Sequence, residues 1–250
     1  VYTAGNETPE SFHLWAGLSA IGWVMQRRCW LDMGHFEIFP NLFTILTSPA
    51  GRCNKTIAMR IARKVAAAAV PGLKFTADSS SREKLVHAMM MSYKDNASCL
   101  AAHSSEFGSM LATSGIDMVV FLTDVFDCPE AWSHDTLSRS TVTIKFPYLS
   151  LLAGATPDYI AKAMPLDTVG IGLTSRTLFI FEDQPRPAVP IPRLTDAQKQ
   201  LWVLLVHDLN RISMISGVYS LTPEAEEFYV DWYKAEYNKA NTTGYDPRLA

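Results

Sequence analysis

Apolar residues recur at two different spacings along the chain, and the changes between them divide it into elements. Residues 11–31 carry an apolar stripe at helical spacing, which predicts a helix. Residues 41–47 instead form a β-rich and mostly apolar run, which is typical of a strand buried on both faces. A proline and a glycine break this run, and the alanine-rich residues 56–69 predict a second helix.

Strand-like and helical stretches continue to alternate over the following residues. Short apolar runs predict strands at residues 73–76, 97–103, 148–155 and 176–182. Helical patterns fall at residues 80–91, 107–112, 116–126 and after Thr156, and residues 141–146 alternate like one arm of a hairpin. This alternation predicts a three-layer α/β domain with a mainly parallel sheet.

Composition divides the chain into four segments. Residues 1–40 are predicted to form a helical lead-in and residues 41–184 an α/β core. Residues 185–194 are a predicted linker, since the eight residues that begin at Pro185 include four prolines. Residues 195–250 are predicted to form a helical C-terminal region that opens with a capping box.

The overall composition favours a packed domain and limits its partners. With 250 residues, 48% of them hydrophobic and 19% charged, the chain can bury a substantial core. Its formal net charge of −3 does not favour nucleic acid binding by bulk electrostatics. Any contact with DNA or RNA therefore requires a local basic patch.

Cysteine and histidine positions do not predict a metal centre. The four cysteines are far apart and form no CxxC pair, and the six histidines form no ligand cluster with them. Free thiols are typical of a reducing compartment. Because the chain shows no signal peptide and no apolar run long enough to span a membrane, we expect a cytoplasmic protein. Val1 at the start suggests an excised or processed piece.

The turn between the first predicted strand and the next helix is the strongest candidate for chemistry. A phosphate-binding turn needs inward backbone N–H groups, a helix N-terminus and a lysine for the outer phosphates. Lys55 and Thr56 match the end of the pattern G-x-x-x-x-G-K-[ST]. Asn54 and Pro49 stand at its two glycine positions, although Asn54 tolerates left-handed backbone and Gly51 remains in the turn. The alternative is an ordinary strand–turn–helix with an exposed lysine.

Two positions further along the chain suit a nucleotide site. Glu106 follows the apolar strand at residues 97–103, where a carboxylate orients an attacking water. Thr156 follows the strand at residues 148–155, where a polar side chain lies beside the outer phosphate. Each has a structural alternative, which is an acid in the first turn of a helix for Glu106 and a helix N-cap for Thr156.

Basic residues provide further candidates. Arg176 opens a predicted strand and suits either an arginine finger, in cis or across a subunit interface, or a surface arginine. Arg139 and Lys145, together with His134, lie on or beside the predicted hairpin. There they suit either a nucleic-acid backbone or a solvated surface.

These segments, taken in order, resemble a family of phage and prophage P-loop ATPases that often form the helicase-like C-terminal half of primase–helicase proteins. The similarity covers nearly the whole chain, and each motif taken singly has modest specificity. The similar segments are residues 40–43, 49–56, 75–78, 104–108, 149–157, 172–176 and 221–225, with Trp232 and Tyr233. The resemblance also implies that the family continues beyond Ala250.

The resemblance implies a RecA/AAA+-like P-loop fold that hydrolyses ATP with Mg²⁺ in phage or mobile-element DNA replication, in the cytoplasm of a bacterial host. It implies a helicase or translocase that acts on single-stranded or forked DNA as a homo-oligomer, such as a hexameric ring. Thr56 would ligate Mg²⁺ and Ser105 would act on it through water, while Glu106, Thr156 and Arg176 would be catalytic. The implied nucleotide-binding residues are Gly51, Arg52, Cys53, Asn54, Lys55 and Thr56.

Two residues depart from the pattern of the family. Ser105 stands where an acid would help to hold Mg²⁺, and Asn54 replaces the usual residue before the lysine. These departures leave open an alternative in which the domain binds ATP as an oligomeric scaffold or assembly module with weak or no hydrolysis. A third interpretation is a P-loop-like fold that binds no nucleotide.

Overall fold

A five-stranded sheet lies at the centre of the part of the chain that the computed structural model describes, which is residues 2–78, 80–136, 139–163 and 172–240. Its strands are β3 (Phe43–Thr47), β4 (Tyr93–Lys94), β5 (Ala97–Ser104), β8 (Pro147–Ala155) and β9 (Thr177–Phe181). They follow the order β4-β5-β8-β3-β9. The four longer strands are parallel and the short β4 is antiparallel to β5, so the sheet is mainly parallel, as the sequence predicts.

The inner strands are buried on both faces, as their unbroken apolar runs predict. Every residue of β3 and of β8 is buried. At the outer edge of β5, Phe75 forms a single parallel bridge to Ala101. The strand predicted at residues 73–76 is therefore reduced to this one bridge.

One face of the sheet is covered by α1 (Glu10–Met25), α2 (Lys55–Ala69) and α6 (Asp196–Ser213). Alanines dominate the buried side of α2, and their small side chains let the helices pack closely. Trp23 of α1 is buried, and its Nε1 donates a hydrogen bond of 3.0 Å to the carbonyl of Ser150 in β8. Helices from the predicted lead-in and from the predicted C-terminal region thus share one layer with α2.

The opposite face is covered by α3 (Arg82–Met91), α4 (Phe107–Phe126) and α5 (Pro157–Ala163). Leu85 of α3 and Phe121 of α4 are buried against the sheet, and Ile160 of α5 packs on the same cluster. Gly115 kinks α4 with a φ of 55°, so the helices predicted at residues 107–112 and 116–126 are two parts of one element. Helices on both faces confirm the three-layer α/β architecture.

Smaller elements flank the three layers. A three-stranded sheet joins β1 (Cys29–Asp32), β2 (Glu37–Ile38) and β10 (Gly217–Tyr219), and β6 (Ala131–Thr136) pairs with β7 (Arg139–Lys145) in a hairpin. That hairpin contains the arm predicted at residues 141–146. After β10 comes α7 (Pro223–Ala240), most of whose described side chains are exposed. Neither α7 nor another helix in the described ranges has the length and apolarity needed to cross a membrane.

The proline-rich segment at residues 185–194 contains neither helix nor strand and lies against the start of the chain. The N–H of Arg186 donates to the carbonyl of Glu7, and the N–H of Val189 donates to the carboxylate of the same residue, each at 2.9 Å. The segment is therefore fixed by hydrogen bonds to residue 7. The division of the chain into lead-in, core, linker and C-terminal region stays a prediction.

Candidate functional site

The carboxyl ends of the central strands form the edge where most of the sequence candidates meet. β3 is followed by α2 on one face of the sheet, whereas its neighbour β8 is followed by α5 on the other face. Such a reversal between neighbouring parallel strands leaves a crevice at their carboxyl ends, and ligands of open α/β sheets bind there. The turn after β3, Glu106 after β5 and Thr156 after β8 all lie at this edge.

The turn at residues 48–54 begins at the carboxyl edge of the sheet, between the ends of β8 and β9. Ser48 is buried, and its N–H donates a hydrogen bond of 3.4 Å to the carbonyl of Ala155 at the end of β8. On the other side, the N–H of Glu182 donates to the carbonyl of Thr47 at 3.0 Å. Gly51 has a φ of 71° and open space where a Cβ would stand. The turn is therefore anchored at its base and open at its middle.

Asn54 adopts the left-handed conformation that the sequence predicts for a residue in this place, with φ 46° and ψ 41°. It stands at the N-cap of α2, and its side chain makes no capping hydrogen bond. By contrast, the side chains of Ser81 and Thr195 cap the starts of α3 and α6. The N-terminus of α2 thus remains open to an anion, which its N–H groups and the helix dipole attract.

Lys55 reaches back over the turn. Its Nζ donates to the Oγ of Ser48 at 2.7 Å and to the carbonyl of Ser48 at 3.1 Å. Burial lowers the pKa of Lys55, and the nearby charge of Glu106 partly offsets that lowering. Since an ammonium group has three N–H donors and two are used here, one remains for a ligand. The side chain is half-buried, unlike an ordinary surface lysine.

The side chains of Arg52 and Cys53 brace the turn from the side of β9. Nη1 of Arg52 donates to the carbonyl of Asp183 at 3.2 Å, and the buried thiol of Cys53 donates to the carbonyl of Glu182 at 3.6 Å. Burial raises the pKa of the Cys53 thiol, so it stays protonated. The thiol of Cys53 is thus committed to the fold, whereas the exposed guanidinium of Arg52 keeps four further N–H donors for a ligand.

The turn is also tied to the start of α1. The buried Thr8 donates from its Oγ1 to the carbonyl of Asn54 at 3.3 Å. Ser11 donates from its Oγ to Oε1 of Glu182 at 2.6 Å. The first turn of α1, the end of β9 and the turn at residues 48–54 therefore form one hydrogen-bonded unit.

Thr56 and Glu106 are both exposed at this edge. Thr56 is the second residue of α2, and Glu106 is the residue immediately before α4. The backbone carbonyl of Glu106 accepts hydrogen bonds from the N–H and the hydroxyl of Ser109, at 3.1 and 2.8 Å. Its carboxylate makes no capping hydrogen bond to α4, and the alternative role of an acid beside a helix N-terminus stays open.

Behind Glu106, the ends of β5 and β8 are in close contact. A Cβ at Gly154 would lie 2.8 Å from the carbonyl oxygen of Ser105, so only glycine fits there without a shift. Thr156 is half-buried, and its carbonyl accepts from the N–H groups of Tyr159 and Ile160 at 3.1 and 3.0 Å. The helix that follows begins at Pro157, as the sequence predicts.

The structure does not bring Arg176 to this edge. Arg176 precedes the first residue of β9 and therefore lies at the amino edge of the sheet, about 15 Å away along the strand. Its guanidinium forms a forked ion pair with Asp127, with N···O distances of 3.1 and 2.8 Å, and this hydrogen bonding raises its pKa. Of the two arginine-finger alternatives, only contact with a neighbouring copy's site is compatible with this position.

The two basic residues predicted to contact nucleic acid lie at opposite ends of β7. Arg139 and Lys145 are separated by about 20 Å of extended strand. Lys145 is exposed, whereas the side chain of Arg139 is outside the described residues. Between them, the ring of His134 stacks on Trp132, and its Nε2 lies 3.1 Å from Nη2 of Arg82. Arg139 and Lys145 therefore do not form one compact phosphate site.

Sequence reasoning missed a second polar cluster at the carboxyl edge. Asp78 accepts from Nη1 of Arg63 at 3.2 Å and lies 3.2 Å from Nδ1 of His103. Burial lowers the pKa of His103, and the hydrogen bond with Asp78 partly offsets this. Asp78 follows a predicted strand just as Glu106 and Thr156 do, and this shared position was the available signal.

Comparison with known proteins does not place the chain in a family. No family model matches it, and no curated protein shows significant similarity to it. In the described ranges, no group of three or more His, Cys, Asp or Glu side chains is arranged to hold a metal ion. The fold and its carboxyl edge define a three-layer α/β domain whose strand–turn–helix site is suited to an anion.

Proposed function

We propose that this chain is a P-loop NTPase domain that binds ATP with Mg²⁺ at the turn of residues 48–54 and hydrolyses it. The observation that carries the proposal is Lys55, whose half-buried ammonium is held over the turn by Ser48, next to an uncapped helix start. The left-handed Asn54 and the open Gly51 support it, because phosphate can approach the backbone at these positions.

Each residue at the edge has a role that its position supports. The N–H groups of Gly51 and of residues 53–56 would bind phosphate oxygens, the guanidinium of Arg52 would add a charged donor, and Lys55 would hold the outer phosphates. Thr56 would ligate Mg²⁺ directly, and Ser105 would hold the same ion through a water molecule. When bound, Mg²⁺ neutralises charge on the phosphate oxygens. Glu106 would orient the attacking water and accept its proton, and Thr156 would donate a hydrogen bond to the outer phosphate.

We expect Glu106→Gln to lower the rate of ATP hydrolysis by about 100-fold while the affinity for ATP changes by less than about threefold. The amide keeps the shape of the side chain but cannot accept the proton of the water. The measurement is steady-state phosphate release beside a binding titration with a fluorescent ATP analogue. Asp117→Asn is the matched control, because Asp117 is an exposed acid further along α4. Equal turnover in Glu106→Gln and the unchanged protein would exclude Glu106 as the base.

A second candidate function is an ATP-dependent scaffold that hydrolyses poorly. It is favoured by Ser105, a half-buried hydroxyl in the place where the resembling family has an acid for Mg²⁺. Restoring the acid separates the two functions. If the domain is a slow ATPase, Ser105→Asp should raise its turnover, whereas a scaffold should bind ATP tightly and release no phosphate in either form. A titration with ATP and Mg²⁺ that shows no binding would exclude both candidates.

The resemblance to phage and prophage primase–helicase ATPases supports a further part of the proposal, which is coupling of hydrolysis to DNA replication in a bacterial cytoplasm. The domain would act on single-stranded or forked DNA as a homo-oligomer. Because Arg139 and Lys145 lie about 20 Å apart, they would contact different phosphates of one strand. Turnover measured with single-stranded DNA, forked DNA and RNA tests this part, since a replication motor should be stimulated by its own substrate.

Arg176→Ala discriminates between a structural arginine and a finger that acts on a neighbour. If the ion pair with Asp127 is the whole role of Arg176, we expect Arg176→Ala and Asp127→Ala to lower the melting temperature by similar amounts and to leave turnover within about twofold. If Arg176 completes a neighbouring site, Arg176→Ala alone should lower turnover by about 100-fold or more. Thermal unfolding and phosphate release, measured on both variants above the assembly concentration, give the answer.

A further inference from the structure

A groove of about 510 Å³ lies between α1, α2 and α6. Leu14, Leu18 and Leu205 line it, and Leu14 is 58% exposed although it is apolar. Small residues of α1 and α2 also line it, namely Ala16, Gly17, Ala20, Ala58 and Ala62. A space of this size and character suits a small apolar molecule or a pair of aromatic side chains.

The opposite kind of surface is found on α7, which carries four aromatic side chains that are more than half exposed. Phe228, Trp232, Tyr233 and Tyr237 are each between 51% and 74% exposed. All of the described side chains of α7 except Tyr229 and Glu236 are exposed. An isolated helix of this length is marginally stable in water, and an aromatic patch of this extent marks an interaction surface.

We propose that the aromatic face of α7 in one copy of the chain occupies the groove between α1, α2 and α6 in a second copy. The two surfaces are complementary in shape, because the alanine and glycine positions of α1 and α2 leave room for large rings between the leucines of the groove. Pairing of α7 with another α7 would set large rings against large rings and leave the groove unfilled. The proposal does not depend on nucleotide binding.

Charge supports the same pairing and fixes its direction. On α2, the exposed Arg60 and Lys64 each precede a groove residue by one position, which places them in the adjoining row. On α7, the acidic residues Glu227 and Asp231 each precede an aromatic residue by one position. These aromatic residues are Phe228 and Trp232. When two helices pack antiparallel, the row that precedes the apolar row on one helix lies opposite the row that precedes the apolar row on the other. In that orientation the basic row of α2 meets the acidic row of α7.

The exposed rings of α7 can supply a substantial part of an interface. Phe228 and Trp232 lie on one side of the helix and offer about 250 Å² of surface, and Tyr233 and Tyr237 offer about as much on the next side. Both pairs together reach more than half of the roughly 800 Å² that each partner contributes to a standard interface. Because two different surfaces meet, the contact is head-to-tail, and each copy keeps one groove and one α7 for further neighbours.

The test begins with the mass of the full chain in sedimentation equilibrium over a range of concentrations. We expect the unchanged protein to self-associate, and Leu14→Glu or Trp232→Glu to weaken association by at least about thirtyfold. Both positions are more than half exposed, so the fold should be kept, which circular dichroism checks. Leu204→Glu is the control, because Leu204 is an exposed apolar residue of α6 outside the groove. A protein that stays monomeric up to about 100 μM would overturn the proposal.

Mixing the two blocked variants tests the head-to-tail arrangement itself. Leu14→Glu keeps its α7, and Trp232→Glu keeps its groove, so the mixture should form a one-to-one pair that grows no further. Failure of the two variants to pair would overturn the proposal, because pairing of α7 with α7 predicts that result. A second experiment exchanges the two opposite charges of the proposed contact. Lys64→Glu should weaken association of the full chain, and adding Asp231→Lys to the same chain should restore it.

Discussion

Lys55→Ala is expected to lower the rate of ATP hydrolysis by about 100-fold or more while the fold is kept. Lys55 stands at the start of α2 with its ammonium held over the turn, whereas the guanidinium of Arg52 is directed away to the carbonyl of Asp183. The ammonium of Lys55 already lies over the turn, within 2.7 Å of the Oγ of Ser48. Its removal therefore takes away the main positive side chain of the proposed site.

The stability of Lys55→Ala should change little, because two effects oppose each other. Burial lowers the pKa of Lys55 in the folded protein, so the charged form costs stability at neutral pH, and alanine removes that cost. Alanine also removes the hydrogen bonds to Ser48, which lowers stability. We expect the melting temperature to stay within about 5 °C.

Lys84→Ala is the matched control for this experiment, because Lys84 is an exposed lysine on a helix of the opposite face, away from the turn and the groove. We expect its turnover to stay within about twofold of the unchanged protein. Phosphate release and a thermal melt on both variants give the comparison. Undiminished hydrolysis in Lys55→Ala would remove Lys55 from the mechanism and the P-loop proposal with it.

Gly154→Ala is expected to lower the free energy of unfolding by about 2 kcal/mol and to reduce turnover as well. The added Cβ would lie 2.8 Å from the carbonyl oxygen of Ser105, which is backbone and cannot rotate away. The strand ends must then separate, and Glu106 is the next residue after the one displaced. Urea unfolding gives the loss of stability, and phosphate release gives the effect on the site.

Gly108→Ala is the control for Gly154→Ala, since both glycines are buried and leave no room for a Cβ. At Gly108 the Cβ would meet the ring of Tyr159, which is 38% exposed and free to turn aside. We expect the loss of stability at Gly108 to be the smaller of the two. Equal losses of stability in the two variants would show that a contact with the carbonyl of Ser105 costs no more than a contact with the ring of Tyr159.

The strand–turn–helix at residues 43–69 was predictable because all of its signals are local. The apolar run, the break at Pro49 and Gly51 and the alanine-rich helix stand within a short stretch of chain. Asn54 was predicted to tolerate left-handed backbone from its residue type, and it adopts it. The positions of Glu106 and Thr156 followed in the same way, since residues that end parallel strands share one edge of a sheet.

The same rule, applied to Arg176, would have predicted its distance from the turn. Arg176 opens a strand, so it lies at the amino edge, where Asp127 pairs with it. Other features had no local signal. The packing of α1 and α6 beside α2 joins segments far apart in the chain, and periodicity alone does not say which face meets which neighbour. The hydrogen bond from the ammonium of Lys55 to Ser48 also forms only in the folded turn, so it had no local signal in the sequence.

The hydrogen bond from Thr8 to Asn54 would link the proposed nucleotide site to the proposed contact between copies. Thr8 stands two residues before α1 and is bonded to the turn, and α1 supplies Leu14 and Leu18 to the groove. A ligand that displaces Asn54 would therefore act on the wall against which a neighbour docks. Any such coupling is reciprocal, so the arrival of a neighbour would change the affinity for ATP by the same factor as ATP changes the affinity for the neighbour. The apparent affinity of this domain for ATP would then depend on its own concentration.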